Sequence, residues 1–260
     1  YFFNEYGTEI HLIEMLPRIL PVEDEDISKE LQRNFIKSGI KIHTNSKVSK
    51  IDTLKSKVKI HLENKKVIEA DIALVAVGVT GNIENIGLED IGIAVDTGSI
   101  TINEFNQTSI PNIYAIGDVT GPPWLAHVAS AQGHVAAEHA AGQKSVPVDY
   151  NNIPSCTYCQ PQVASIGLTE SMAKEKGHEI KIGKFDFRAS GKAMATGNID
   201  GFVKLVFDNK YGELLGAHII GYEATEMIAE LGMAKALETT WNELATTVHA
   251  HPTLSEAVME

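Results

Sequence analysis

The stretch "TTVHAHPTLSEAVME" places an imidazole, His251, five residues ahead of a carboxylate, Glu256, with Pro252 directly after the imidazole. These types can form a general base and the group that orients it, because imidazole exchanges protons near neutral pH and a carboxylate fixes which ring nitrogen carries one. In "YAIGDV" an apolar run leads into Gly117 and Asp118. Glycine there lets backbone approach a ligand closely, and the carboxylate can accept from a polyol hydroxyl; a turn glycine before a helix-capping aspartate has the same pattern. A helix expected from near Leu125 would direct its N-terminal N–H groups at whatever lies beside Asp118.

Two further patterns carry weaker signals. "CTYC" has the C-x-x-C spacing, Cys156 and Cys159, of a redox dithiol or half a zinc site. On a strand, side chains three apart face opposite sides, so these thiols would not meet, and no second cysteine pair completes a zinc site. Glu14 ends the expected strand "EIHLIE". In a dinucleotide-binding unit an acid there, about 20 residues past the Gly-rich turn, accepts hydrogen bonds from ribose hydroxyls and favours NAD over its 2′-phosphorylated relative. A plain surface acid would look the same.

The elements that must position these residues follow from periodicity. "VEDEDISKELQRNFIKSG" has acids at its front, Ile27, Leu31 and Phe35 at four-residue steps, and Gly39 as terminator, which predicts an amphipathic helix. "IKIHT", "KVSKID", "KVKIHLE" and "KVIEA" read as short strands of an antiparallel meander. The continuous apolar run "ADIALVAVG" predicts a buried parallel strand ending at Gly78, and Ile113 to Ile116 a second buried strand. "WLAHVASAQGHVAAEHAAG" predicts a helix closed by Gly142. Beyond the linker-like "VPVDYNNIPS", strands are followed by helices without βαβ alternation, an α+β pattern. Met227, Leu231, Ala234 and Leu237 form one stripe, suited to a core or a subunit interface.

Composition sets outer limits. The chain has 260 residues, 22 basic against 34 acidic, a formal charge of −12, which disfavours nucleic acid or an anionic membrane as partner. No run approaches the roughly 18–20 apolar residues needed to span a bilayer. Two cysteines are too few for a disulfide framework and suit a reducing compartment. The opening "YFFNEYG" has no initiator Met or N-cap and reads as the middle of a helix, so further chain is expected before it.

In this order and spacing, "YAIGDVTGPPWLAHVASAQG", "PQVASIGLTE" and "HAHPTLSEAV" resemble the flavin-dependent pyridine nucleotide–disulfide oxidoreductases, from "EIHLIEMLPRILP" to the end. "HPTLSE" favours the lipoamide-oxidising branch over glutathione or mercuric reductases. The resemblance implies an α/β chain: the later part of a Rossmann-like NAD-binding domain (1–79), a central FAD-contacting segment (80–147) and an α+β dimerisation domain (148–260). It implies that Glu14, Val48 and Gly78 line NAD, that Gly117 and Asp118 hold the flavin ribityl chain, and that Trp124, Leu125, Ala126 and His127 line the flavin pyrimidine edge, where the positive helix end would stabilise negative charge. Trp124 departs from the methionine more often found there; backbone contacts should survive the change.

The resemblance further implies that His251 is the base that takes a proton from a dihydrolipoyl thiol, that Glu256 orients it, and that the His251–Pro252 bond is cis. The reaction would oxidise dihydrolipoyl groups on lipoyl domains of acyltransferase subunits, with NAD as acceptor, in a homodimer of the cytoplasm or, in a eukaryote, the mitochondrial matrix. The family's redox disulfide is a C-x4-C pair, which this chain lacks, as it lacks the dinucleotide glycines. The chain alone is therefore expected to hold FAD poorly and not to turn over. A non-catalytic dimerising module and another disulfide reductase of the family are the alternatives.

Overall fold

Asp24 decides where the first long helix begins. Its carboxylate accepts from the Asp26 N–H at 3.0 Å and caps a helix over Glu25–Lys37. Ile27, Leu31 and Phe35 are buried as their spacing predicts, and Gly39, at φ +95°, reverses the chain. The computed structural model describes residues 1–260, which form two compact units, Tyr1–Ala73 with Asn151–Glu260, and Leu74–Tyr150.

In the first unit, α1 (Phe2–Glu5) is a single turn, and β1 (His11–Ile13) pairs in parallel with β2 (Lys41–His43) across α2 (Glu25–Lys37), a right-sized βαβ step. The predicted meander is β3 (Val48–Thr53), β4 (Val58–Leu62) and β5 (Val67–Ala70), all antiparallel, burying Ile60, Leu62 and Ile68.

The strands and α-helix of the second unit are the short hairpin β6 (Val95–Asp96) with β7 (Ser99–Ile100), and α3 (Ala126–Ala140), followed by Gly142 at φ +69°. Neither predicted buried strand forms here. From Asp71 to Val79 the backbone is in no ladder, and Ile72, Leu74 and Val77 are more than 80 % exposed. A continuous apolar run implies cover on both faces and strands on both sides; β1 and β2 pair only with each other, and no strand of this chain lies along the run. Ile113 to Ile116 makes one isolated bridge, Gln107 with Tyr114, and Ile116 stays exposed although Ala115 is buried.

The remainder of the first unit is one antiparallel sheet of β8 (Ser155–Thr157), β9 (Gln162–Gly167), β10 (Ile180–Asp186), β11 (Phe202–Asp208) and β12 (Leu214–Gly221), in the order β10, β11, β12, β9, β8. Its helices are α4 (Glu170–Glu175), α5 (Gly191–Thr196), α6 (Ala224–Ala236), α7 (Trp241–Thr246) and α8 (Glu256–Met259). Alternation sorts the strands cleanly. Val203, Leu205, Ala217, Ile219 and Ala164 join Met227, Leu231 and Ala234 of α6 in one core, while Phe202, Ile220 and Val163 join Ile27, Leu31 and Phe35 of α2 in another. Leu237, fourth in the predicted stripe, lies past the end of α6 and is exposed. Gly216 has no substitute, since an added Cβ would sit 2.0 Å from the Leu168 carbonyl oxygen.

On the α2 face a row of polar residues crosses all five strands in register: Ser155, Ser165, His218, Lys204 and Lys184. The acids that open α2 lie over this row. Lys204, almost fully buried, donates to Asp24 at 2.8 Å, Asp26 at 2.9 Å and Glu170 at 2.8 Å. Two lysines directly opposite would repel, but Asp26 answers both, with Lys184 at 3.7 Å. Burial works to raise the Asp24 carboxyl, yet the Lys204 ammonium, His218 and the Asp26 N–H together hold the group below the usual carboxylate range. His218 donates from Nε2 to the Leu168 carbonyl at 3.0 Å, and burial keeps it below the ordinary histidine value.

Removing one member of a buried pair strands the other's charge. Lys204→Met should lower stability by about 3 kcal/mol at pH 7, toward the low end because Asp26 and Glu170 are part-exposed. The folded carboxyls of Asp24 and Glu170 are depressed, so their contribution is present above the unfolded carboxylate value and lost as pH falls through the folded one. The gap between wild type and variant should therefore close below about pH 4, measured by urea titration at several pH values; a gap that does not change with pH would contradict the ion-pair account.

Candidate functional site

The segment between α7 and α8 carries His251. A capping box, Thr240 with Glu243, starts α7, and Leu254, Ala257 and Val258 return the chain to the core. Between these anchors the backbone turns at a cis His251–Pro252 bond. Glu256 then faces back along the segment: Oε2 accepts from the Thr253 N–H at 2.8 Å and Oε1 meets His251 Nδ1 at 2.8 Å. These two contacts, the N–H first and the ring second, hold the Glu256 carboxyl below its usual range.

An ionised carboxylate can only accept, so the proton between them belongs on Nδ1. Nε2 is left with its lone pair, on a side chain that is 78 % exposed. A base with the correct tautomer and an open approach to one nitrogen is the chemical content of this pair.

A second cluster of predicted residues follows the sequence closely. Gly117, at φ +76°, opens a single 3-10 turn over Gly117–Thr120, and its N–H donates to the buried Gln132 side chain at 2.6 Å. The turn leaves Asp118 on the surface. The chain then runs through cis Pro122–Pro123 and the half-exposed Trp124 into α3, whose N-cap, Leu125, supplies no side-chain hydrogen bond. The first N–H groups of α3 lie at this end of the helix, where its dipole is positive. An acceptor in the turn ahead of a positive helix end fits a ligand with hydroxyls at one part and developing negative charge at another.

Glu14 follows β1 directly, at the carboxyl end of a parallel strand where dinucleotides bind in such sheets. Its Oε1 accepts from the Leu16 N–H at 2.8 Å, which orients the carboxylate and leaves the second oxygen for another donor. Val48 begins β3, exposed, and no hydrogen bond joins it to Glu14. Gly78, at φ +148°, lies in the strandless run. The structure thus brings His251 to Glu256 and keeps Gly117 through His127 continuous, while the three dinucleotide candidates occupy separate segments.

His249 was not singled out by spacing. Its ring is bonded to Glu230 of α6 at 2.6 Å, a partner 19 residues away that no local pattern reveals.

Two family models match the chain: "Pyridine nucleotide-disulphide oxidoreductase" over residues 1–133, and the dimerisation domain of the same family over 153–260. The chain belongs to this family. Among pyridine nucleotide-disulphide oxidoreductases it is 46% identical over its whole length to the dihydrolipoyl dehydrogenase of Rhizobium etli, 47% to that of Zymomonas mobilis and 45% over 99% of its length to that of Bacillus subtilis. It spans 55%, 57% and 55% of those proteins, a little over half. Solved structures of the same class share its fold: LpdA from Mycobacterium tuberculosis (TM-score 0.91, 26% identity, 99% of this chain and 56% of that one) and the HOCl-induced flavoprotein disulfide reductase RclA from Escherichia coli (0.92, 26%, 98% and 59%). No helix of the chain is long and apolar enough to cross a membrane.

This disulphide oxidoreductase chain has two thiols, both free. Cys156 lies on β8 against the α6-side core, whereas Cys159 falls in the turn after it and enters the α2-side core. Burial pushes the Cys156 thiol up and the Cys159 thiol to about 11. At pH 8 only about 10⁻³ of Cys159 would be thiolate, the nucleophilic form. Native protein treated with iodoacetamide at pH 8 should leave Cys159 unalkylated by mass spectrometry until denaturant is added; rapid native alkylation would refute the burial account.

Proposed function

We propose that the protein to which this chain belongs is a dihydrolipoyl dehydrogenase, oxidising protein-bound dihydrolipoyl groups with NAD⁺ as acceptor. The observation that carries the reading is the His251–Glu256 pair, with Nδ1 committed to the carboxylate and Nε2 open to solvent. The identities of 45–47% to dihydrolipoyl dehydrogenases support it. In balance, a dithiol and NAD⁺ give a disulfide, NADH and one proton.

His251 takes the proton from one dihydrolipoyl thiol at Nε2, and the resulting thiolate attacks one sulfur of the enzyme's redox disulfide, displacing the other. That disulfide is supplied from outside these 260 residues, which contain no C-x4-C pair. Glu256 holds the ring in the accepting tautomer and stabilises the imidazolium once formed. Bound FAD would supply two-electron transfer between the dithiol and NAD⁺. Asp118, beside Gly117, would accept from its ribityl hydroxyls, and the N–H groups at Ala126 and His127, flanked by Trp124 and Leu125, would face its pyrimidine edge. Glu14 would take the ribose hydroxyls of NAD, with Val48 and Gly78 lining the same cofactor.

In this reading 1–79 belongs to the NAD-binding domain, 80–147 to a flavin-contacting segment and 148–260 to a dimerisation domain through which the protein is a homodimer. The match of the dimerisation model to 153–260 supports the last of these. Lipoyl domains of the acyltransferases of 2-oxoacid dehydrogenase or glycine cleavage complexes would be the macromolecular substrates, in the cytoplasm or mitochondrial matrix.

In the full-length protein, His251→Gln should slow turnover of dihydrolipoamide by roughly 10²–10⁴-fold, the scale of general base help, with the flavin spectrum unchanged. Glu256→Gln should cost less, because the amide oxygen can still accept from Nδ1. Steady-state assays with dihydrolipoamide, and with glutathione for comparison, decide the matter: wild-type turnover in His251→Gln would refute the base, and a preference for glutathione would refute the substrate.

A further inference from the structure

The segment that presents His251 has little backbone support. From Val248 to Thr253 no N–H enters a backbone–backbone hydrogen bond, and Val248, Ala250, His251 and Pro252 are all exposed. What holds it is side-chain bonding, and nearly all of that is local. Thr253 Oγ1 donates to the Ala250 carbonyl at 2.7 Å, and Glu256 reaches back to Thr253 and His251 at 2.8 Å each. These bonds shape the turn without tying it to anything else.

One residue does both. The His249 side chain is 7 % exposed, inserted where its neighbours point outward. Nδ1 donates to the Thr247 carbonyl at 2.9 Å, since a carbonyl can only accept, and Nε2 meets Glu230 Oε1 at 2.6 Å. Glu230 belongs to α6, whose Met227, Leu231 and Ala234 are packed in the core. The His249–Glu230 contact is thus the polar tie from the base-bearing segment to the body of the domain.

We propose that His249 is a positioning residue: it clamps the segment to α6 through Glu230 and so fixes the direction in which His251 presents Nε2. This rests on His251 being the base. Both wild-type partners accept, so each ring nitrogen donates there, whereas in Glu230→Gln a neutral ring with Nδ1 still donating can accept from the amide N–H; a bond at Nε2 is kept in both cases. Misplacing a catalytic group by about 1 Å costs on the order of 10²-fold in rate, so a loosened clamp acts on turnover and leaves substrate binding alone.

The test uses the full-length, flavin-loaded protein and dihydrolipoamide. His249→Ala and Glu230→Ala should each lower kcat by about 10- to 100-fold with KM within twofold, while Glu230→Gln, whose amide can donate to Nε2, should remain within about threefold of wild type. Oxidation of NADH by ferricyanide needs no thiol proton removed and should be unchanged in His249→Ala. The double variant His249→Ala/His251→Gln should be no slower than His251→Gln, because a residue that acts through the base has nothing left to act on.

If His249→Ala does not fold, Glu230→Ala, altered at a part-exposed position, carries the same comparison. Wild-type kcat in the alanine variants, a multiplicative loss in the double variant, or Glu230→Gln as slow as Glu230→Ala would each overturn the clamp while leaving the base assignment intact. Wild-type turnover in His251→Gln would overturn the base assignment and the clamp with it.

Discussion

A lysine with three carboxylates in a protein interior is the constraint on which the first unit depends. Lys204 lies on β11, in the polar row that crosses the α2 face of the sheet, and taking its ammonium out of water is tolerable only because Asp24, Asp26 and Glu170 converge on it. Asp24 is also the cap of α2. The same carboxylate that decides where the helix starts therefore decides where the helix sits, 180 residues away in sequence from the lysine that receives it. Hydrophobic burial of Ile27, Leu31 and Phe35 would accept several rotations and slides of α2; the ion cluster accepts one.

That one placement has consequences for both ends of the chemistry. It seats α2, and through its βαβ step the end of β1 where Glu14 turns its carboxylate to the Leu16 N–H. On the other face the sheet carries α6, whose buried stripe holds Glu230 at the level of the His249 ring. The base is thus presented by a segment with almost no backbone bonding, held against a helix that is itself held by an apolar core.

Legibility in the sequence followed locality. The helix α2, the meander β3 to β5, the helix α3 and the pair His251–Glu256 are all specified within about ten residues, by periodicity, caps and spacing. The strand-like runs at 71–79 and 113–116 were read from apolar content, which reports a need for neighbours and not their presence; in this chain no strand lies alongside. Lys204 and His249 were illegible for a different reason. A lysine inside "GFVKLVFD" and a histidine in "VHAHP" look like exposed members of their segments, and only the register of β11 against β12 and the return of the chain past α6 reveal their partners.

The bare run from Asp71 to Val79 has one charged residue, Asp71, and is otherwise apolar but for Gly78. Unpaired N–H and C=O groups along such a run form a template that another chain can zip onto. What opposes this is the surplus of acids: at −12 formal charges, two copies of this chain repel at a distance before the runs can meet. That repulsion reaches only about 8 Å at physiological ionic strength. Colloidal behaviour and strand pairing are therefore set against each other in this molecule, and salt concentration decides how often one chain's open edge finds another.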